Sequence, residues 1–395
     1  MRVLPMAVSV VFALMSVSAA RAADTLEEIL EPIRTKYDLP ALSAAVARDG
    51  TIVARGVVGV RMYQSTIKAT VDDRFHLGSD TKAMTATLAA MLIEDGKLSW
   101  TSTVGEVLGS RIPNLKPGVA AITLETLLSH TSGLPFDTEE IATLYFMAPS
   151  PDLSLTSARL KLIETWGTKN ELTGEPPYKF QYSNLGYIIA GAMIEAASGQ
   201  AWEQMITDRI FEPLGLRSAG LGPQATTGRI DAAVGHHVDE KGTITPRAWG
   251  PWADSPAVLG PAGTAHMNVS DFVTWGAWNA GGGKRGPHLV KPESLKRLQG
   301  QRIETEVPDP KPGTPKSGGY AMGWGLMQFA WTKAPVLTHN GSNSMNFATI
   351  VVDVQNDLAI AVLTNFPGKT ADVAATEVAG ALYRKYVGTG RPGRK

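Results

Sequence analysis

The amino-acid sequence predicts an α/β chain of the α+β kind: an antiparallel sheet built from both termini, flanked by helices, with a mostly helical lobe inserted between. Two observations carry this. Short β-rich runs lie at both ends, at residues 42–46 and 52–60 and again at 347–354 and 358–364, while residues 82–217 are helical in character. The 395 residues are 44% hydrophobic and 19% charged, enough for one large domain with a sizeable core. The division read from this is a leader over 1–22 and a single domain over 23–395. Its sheet lobe takes in about 24–78 and 245–390, and its helical lobe about 79–244.

The leader comes first. Met1-Arg2 is a short basic start, residues 3–19 are apolar apart from Pro5 and three serines, and Ala20-Arg21-Ala22 is a small-x-small pattern before Ala23-Asp24. This is the layout of a secretory signal peptide, with cleavage near Ala22 or Ala23 and an exported product, periplasmic or secreted. An uncleaved N-terminal anchor is the alternative reading, since the run approaches the roughly 18 residues of a spanning helix. No later stretch is long and apolar enough to span a membrane, so no stable membrane insertion is expected after cleavage.

Residues 25–37 place Leu26, Ile29, Leu30 and Ile33 on one helical face. The runs 42–46 and 52–60 are joined by Arg48-Asp49-Gly50-Thr51, a hairpin signature. Residues 72–77 look like a short strand leading into a helix. Helical segments follow at 123–128, 158–166, 186–197 and 201–211, separated by Gly/Pro loops such as Gly133-Leu134-Pro135 and the stretch 174–177. Residues 220–263 are loop-rich, 270–275 open another helix, and 307–319 form a Pro/Gly/Lys-rich loop. Strand-like runs at 335–338, 347–354 and 358–364 precede a closing helix over 370–386, with Gln355-Asn356-Asp357 as the turn between the last two.

Composition excludes several chemistries. The chain has no cysteine, so disulfides, thiol nucleophiles and cysteine-bound metals are out. Net charge is zero and no basic run is long enough to track phosphates, which leaves nucleic-acid binding without electrostatic support. There is no Gly-x-Ser-x-Gly elbow and no His-Glu-x-x-His helix. His236-His237 is read as a loop pair with diverging side chains, Gly281-Gly282-Gly283 as a turn, and Trp324 as core.

Three short motifs remain. In Gly78-Ser79-Asp80-Thr81-Lys82, Ser79 is read as starting a helix, where serine is a favoured cap and the dipole is positive. Lys82, three residues on, shares its side of the first turn, and a serine beside an amine can be activated to attack a carbonyl. Ser65-Thr66-Ile67-Lys68 has the same spacing but lies outside any helical pattern and reads as a solvated loop. Tyr182-Ser183-Asn184 precedes the next helix. A tyrosine near a lysine can exist partly as phenolate or relay a proton, and Asn184 offers both a donor and an acceptor, or caps the helix that follows. His339-Asn340-Gly341 is placed between strands; other His/Lys-x-Gly triplets occur, but only this one ends a strand flanked by strands.

Taken in order, with Leu127-Leu128-Ser129-His130-Thr131-Ser132-Gly133-Leu134-Pro135 and Phe211-Glu212-Pro213-Leu214-Gly215-Leu216 between them and Gly260-Pro261-Ala262-Gly263 ahead of the last, these motifs resemble one family. It is the serine hydrolases related to class C β-lactamases, penicillin-binding D,D-peptidases, and their esterase and D-aminopeptidase relatives. The resemblance covers nearly the whole chain after the leader and implies a β-lactamase/transpeptidase-like fold and an acyl-enzyme mechanism. In that mechanism Ser79 is the nucleophile, Lys82 and Tyr182 share the proton traffic, and Asn184, His339 and Gly341 bind substrate. The backbone N–H groups of Ser79 and Ser342 form the oxyanion hole. It implies a small-molecule or peptide substrate and no metal or organic cofactor.

The chain departs from the family in its third motif, where class C β-lactamases carry Lys-Thr-Gly. A histidine with an ordinary pKa near 6.5 is mostly neutral at pH 7, which weakens attraction for a substrate carboxylate by about 1 kcal/mol. The expectation is therefore an esterase or amide hydrolase. A D,D-carboxypeptidase or weak β-lactamase is the alternative, and a catalytically silent cell-wall binding protein the second.

Overall fold

One long sheet runs through the described residues, and strands from the N-terminal and C-terminal parts of the chain pair within it. The computed structural model describes residues 23–147, 152–174, 178–250, 252–307 and 315–388. The expected leader, most of the 174–177 stretch and much of the 307–319 loop lie outside the described residues. Among the described residues the sheet has nine strands: β1 (Asp24–Thr25), β2 (Ala41–Arg48), β3 (Thr51–Gly59), β4 (Ile303–Glu306), β5 (Ser317–Tyr320), β6 (Gly325–Met327), β7 (Val336–Gly341), β8 (Phe347–Asp353) and β9 (Leu358–Thr364). Their order is β1-β3-β2-β9-β8-β7-β6-β5-β4. N-terminal β2 pairs antiparallel with C-terminal β9, Leu42 opposite Thr364 and Arg48 opposite Leu358, as the sequence predicts. The sheet is not wholly antiparallel, because the edge strand β1 runs parallel to β3.

The β2–β3 hairpin follows from its turn. Asp49 and Gly50 have φ of 49° and 79°, the positive pair that a two-residue turn matched to strand twist requires, and Asp-Gly tolerates it. At the β8–β9 turn, Asp353 Oδ1 accepts from the N–H groups of Gln355 and Asn356, each at 3.0 Å, replacing ladder bonds where the chain reverses.

The central strands are covered on both faces. Helices α1 (Glu27–Lys36) and, at the C-terminus, Gly368–Gly388 pack on one face through Leu30, Ile33, Val46, Ile360, Val378 and Leu382. The other face carries Ala45, Ala47, Ala359 and Ala361 in the core shared with the helical lobe. These small side chains let helix Val269–Ala280 approach closely; a Cβ on Gly276 would lie 2.8 Å from that of Ala359. Each large side chain buried in such layers contributes about 1.5–3 kcal/mol.

At the centre of the helical lobe is α2 (Thr81–Glu94), buried on every side from Thr81 to Leu92, as expected of a helix apolar all round. α5 (Asn184–Ser198) packs directly on it, α4 (Leu155–Gly167) packs on α5, and α3 (Glu139–Met147) packs on α4.

Several local expectations change. The strand expected over 72–77 shrinks to Phe75–His76, which joins Ala265–Met267 and Gly220–Leu221 in a separate small sheet. His339 and Asn340 do not sit between strands: β7 runs through them to Gly341. His236-His237 lies on a short strand, His236 buried and His237 exposed, so the side chains diverge as expected. Trp324 is core. Ser65 and Lys68 stay apart from any helix, with Lys68 in an isolated bridge to Val60.

Candidate active site

Ser79 does not start the helix. It sits in a single 3₁₀ turn over Gly78–Asp80, α2 begins at Thr81, and no side chain caps either. The cap reading fails because the turn is held by backbone and by Thr81 Oγ1, which donates to Gly78 O at 2.7 Å. The Ser79 hydroxyl is thereby left to the lysine. Lys82 Nζ donates to Ser79 Oγ at 3.0 Å, to Asn184 Oδ1 at 2.6 Å and to Ala262 O at 2.7 Å. Ala262 reaches it because Gly191 of α5 lets Pro261 lie where a Cβ would stand, 2.3 Å from Pro261 Cγ.

Lys82 is fully buried, and burial pulls its pKa down to about 7, with Asp137 and Asp80 pulling it back up. An amine that is neutral half the time at neutral pH, beside a serine hydroxyl, can take that hydroxyl's proton. The Tyr182 hydroxyl also lies beside Ser79, whose hydroxyl acts to lower the Tyr182 pKa. Burial pushes the Tyr182 pKa up, and only the Ser79 hydroxyl opposes this, so Tyr182 is a phenol at neutral pH and not a phenolate. Asp80 is buried with neither carboxyl oxygen hydrogen-bonded, and burial raises its pKa well above the usual range.

Asn184 is the first residue of α5 and not its cap. The cap is Ser183, whose Oγ accepts from Gly186 N. Asn184 is therefore free to bridge, its Oδ1 taken by Lys82 and its Nδ2 donating to Asp137 Oδ2 at 2.6 Å. Tyr145 of α3 donates to the other Asp137 oxygen at 2.7 Å.

The backbone behind Ser342 is pressed against the serine turn. A Cβ on Gly78, which has φ of +51°, would lie 2.2 Å from Ser342 N, and one on Gly341 would lie 1.8 Å from Leu77 O and 2.7 Å from Ser79 N. Both glycines are thus required by close backbone approach, and that approach puts the Ser79 and Ser342 amides side by side. Outside them, Gly78 N donates to His76 Nδ1, His76 Nε2 lies 3.0 Å from Asp254 Oδ1, and Asn343 Nδ2 donates to the same oxygen at 3.0 Å. This chain of contacts ties the strand before Ser79 to the loop after Ser342.

His339 is buried, and burial lowers its pKa to about 3, with Lys82 adding to the effect. Its Nε2 lies 3.1 Å from Tyr320 Oη and its Nδ1 2.9 Å from Asn340 O, so both ring nitrogens are occupied within the protein. The ring is uncharged, further from a lysine's role than its ordinary pKa implies. Behind Tyr182 stands His130, 4.3 Å between ring centroids, with Tyr187 and Tyr320 beside it. Burial holds His130 neutral, and Ser183 N donates to its Nδ1 at 3.2 Å.

All predicted residues converge: Ser79, Lys82, Tyr182 and Asn184 directly, and Gly341, Ser342 and His339 through the β7 end. Sequence reasoning missed Asp137, Tyr145, Tyr320 and the pair His76–Asp254. An acidic residue just after Gly133-Leu134-Pro135 was the available signal for Asp137; a lone tyrosine gives none.

Among the described residues no helix is long and apolar enough to cross a membrane. The family described as Beta-lactamase matches residues 26–384. Penicillin-binding protein 4 of Amycolatopsis lactamdurans is 26% identical over 349 residues, 86% of this chain and 84% of that protein. Unguisins hydrolase ungD' of Aspergillus campestris is 26% identical over 320 residues, 80% of this chain; the chain spans only 56% of that longer relative. Among solved structures, the octameric penicillin-binding protein homologue from Pyrococcus abyssi superposes with a TM-score of 0.72 at 24% identity, covering 92% of this chain and 77% of that one, which shows the fold. With the family match running through every element that carries the site, this chain belongs to the Beta-lactamase family and is a serine hydrolase.

Proposed function

We propose that the protein is an exported hydrolase that cleaves ester or amide bonds of a small molecule or peptide through an acyl-enzyme. The single observation that carries this is the buried Lys82 amine, 3.0 Å from Ser79 Oγ and depressed to about 7. In the proposed sequence Lys82 accepts the Ser79 proton as Oγ bonds to the carbonyl carbon. The developing oxyanion lies between the N–H groups of Ser79 and Ser342, and Asn184 contacts the bound acyl group. Tyr182 hands a proton to the departing alcohol or amine and regains one from the protonated Lys82, so that both return to their starting states. Water then attacks the acyl-enzyme, releasing the acid and restoring the Ser79 hydroxyl. Export rests on the leader pattern over 1–22.

Hydrolysis of p-nitrophenyl butyrate by wild type and by Ser79→Ala tests the reading. Loss of turnover in the variant is expected, and equal rates in both would overturn it.

A second reading, a D,D-carboxypeptidase or weak β-lactamase, is favoured by the likeness to penicillin-binding protein 4. It predicts a covalent β-lactam adduct on Ser79 by mass spectrometry. The neutral His339 weighs against it, because an anionic substrate finds no fixed positive charge there.

A further inference from the structure

We infer that Asp254 is a positioning residue for the oxyanion hole. Its Oδ1 joins the backbone before Ser79, through His76, to the backbone after Ser342, through Asn343, and so fixes the separation of the two N–H donors. This role rests on the acyl-enzyme reading above and adds to it a residue that acts without touching substrate.

The clamp begins in the small sheet. There Phe75 lies opposite Met267 and His76 opposite His266, which holds the His76 backbone two residues before Gly78. Gly78 N donates to His76 Nδ1 at 3.0 Å, so the ring's proton sits on Nε2. That nitrogen lies 3.0 Å from Asp254 Oδ1, close but off the ideal hydrogen-bond line. The same Oδ1 accepts from Asn343 Nδ2 at 3.0 Å and from Ser255 N at 2.7 Å, while Oδ2 is buried without a hydrogen-bond partner. Asn343 is itself held in place, its Oδ1 accepting from Asn346 Nδ2 at 3.0 Å and from Met345 N at 3.3 Å. One carboxylate oxygen thus gathers donors from three separate stretches of chain.

Its place in the fold makes the clamp bear on catalysis. The side chain of His76 is 0% exposed and that of Asp254 7%, so breaking their contact strands polar groups away from water. Asn343 directly follows Ser342, and His76 grips the amide of Gly78, the residue before Ser79. Backbone packing at Gly78 and Gly341 stops the serine turn and the end of β7 from coming closer, but does not stop them from parting or sliding. The contacts through Asp254 do, because they hold both sides. An oxyanion hole needs both donors at roughly 2.7–3.1 Å from the developing anion, and a misplacement of about 1 Å can cost about 10²-fold.

The test must separate positioning from a plain loss of stability. Wild type, Asp254→Ala, Asp254→Asn and Asn343→Ala would be compared by p-nitrophenyl butyrate hydrolysis and by inhibition with propylboronic acid. The boron of that acid bonds to Ser79 Oγ as Lys82 takes the serine proton, giving a tetrahedral boronate with one oxygen in the hole. Asp254→Ala is expected to lower kcat by about 10²–10³, the scale of losing one oxyanion donor, with KM changed by less than about threefold. Its boronate Ki should rise with the fall in kcat, because the boronate uses the same two amides. Asp254→Asn keeps an oxygen for both donors and should retain kcat within about tenfold of wild type. Asn343→Ala cuts only the Ser342 arm and should show the same joint loss, which decides the matter if Asp254→Ala does not fold. Full kcat in the folded alanine variants, or a fall in kcat with boronate inhibition intact, would overturn the clamp and leave the hydrolase reading standing. No turnover and no boronate binding by wild type would overturn the hydrolase reading and the clamp with it.

Discussion

Lys82 Nζ stands 3.0 Å from Ser79 Oγ at the buried start of α2, held by Asn184 and by the Ala262 carbonyl. Only its neutral form can accept a proton. Because burial lowers its pKa to about 7, the neutral fraction rises as pH rises through that value. The acid limb of kcat/KM for p-nitrophenyl butyrate should therefore climb with pH to a midpoint near 7. A profile flat from pH 5.5 to 8.5 would remove Lys82 from the role of base.

Tyr182 enters the reaction as a phenol, since burial raises its pKa. Replacing it by phenylalanine keeps the ring against His130 and removes only the hydroxyl beside Ser79. Tyr182→Phe should lower kcat by about 10²–10⁴ with KM little changed. A variant that kept full kcat would leave Lys82 alone with the proton traffic.

How much of this was legible in sequence depends on how local the signal is. The Asp49-Gly50 turn and the β2–β3 hairpin were readable because positive φ at both positions selects residue types strongly. Ser79, Lys82 and Asn184 were readable because they belong to spaced motifs. The 3₁₀ turn at Ser79 was not, because it depends on Gly341 and Ser342 pressing in from a strand some 260 residues downstream, and residue spacing carries no trace of that contact. Nor was Asp137: it matters only because α3 brings Tyr145 to one oxygen and α5 brings Asn184 to the other.

The third motif can be tested by restoring what the family's β-lactamases carry. His339→Lys would add a cation at the β7 end while giving up the contacts to Tyr320 and Asn340. It should raise kcat/KM for a glutarate half-ester relative to a neutral ester by less than about tenfold, the scale of one partly solvated charge contact. An unchanged ratio would mean that the substrate's far end does not approach β7.

Acid should weaken the fold. His339 is lowered to about 3, His236 and His266 to about 4, and His130 well below its ordinary value, burial being the leading cause in each. His236 shows why: Tyr63 N donates to its Nε2, so its other nitrogen donates to Asn365 O, and a second proton would face an N–H. Below about pH 6.5 the unfolded chain takes up these protons and the native chain does not, so stability falls as pH falls toward the folded values. Each such histidine contributes up to about 1.4 kcal/mol per pH unit in that window. Urea unfolding at pH 7.5 and pH 5.0 should show a clear loss at the lower pH; equal midpoints would contradict the buried neutral state of these rings.

The last prediction concerns how the helical lobe is fastened around α2. Arg159 of α4 is fully buried, bonded to Glu195 of α5 and to Glu203 on the helix Trp202–Ile206, and it donates to Val258 O as well. Glu195 is buried too, and burial raises its pKa against the pull of Arg159. Taking away the guanidinium leaves a buried carboxylate without its cation, so Arg159→Ala should cost about 3–5 kcal/mol in denaturant unfolding. If that cost is the stranded charge, the double variant Arg159→Met with Glu195→Gln should recover much of it, since it removes the cation and the fully buried carboxylate, leaves only the partly exposed Glu203 charged, and keeps most of the volume. A double variant as unstable as Arg159→Ala would instead mean that the guanidinium's packing and its bond to Val258, and not the charge balance, hold these three helices together.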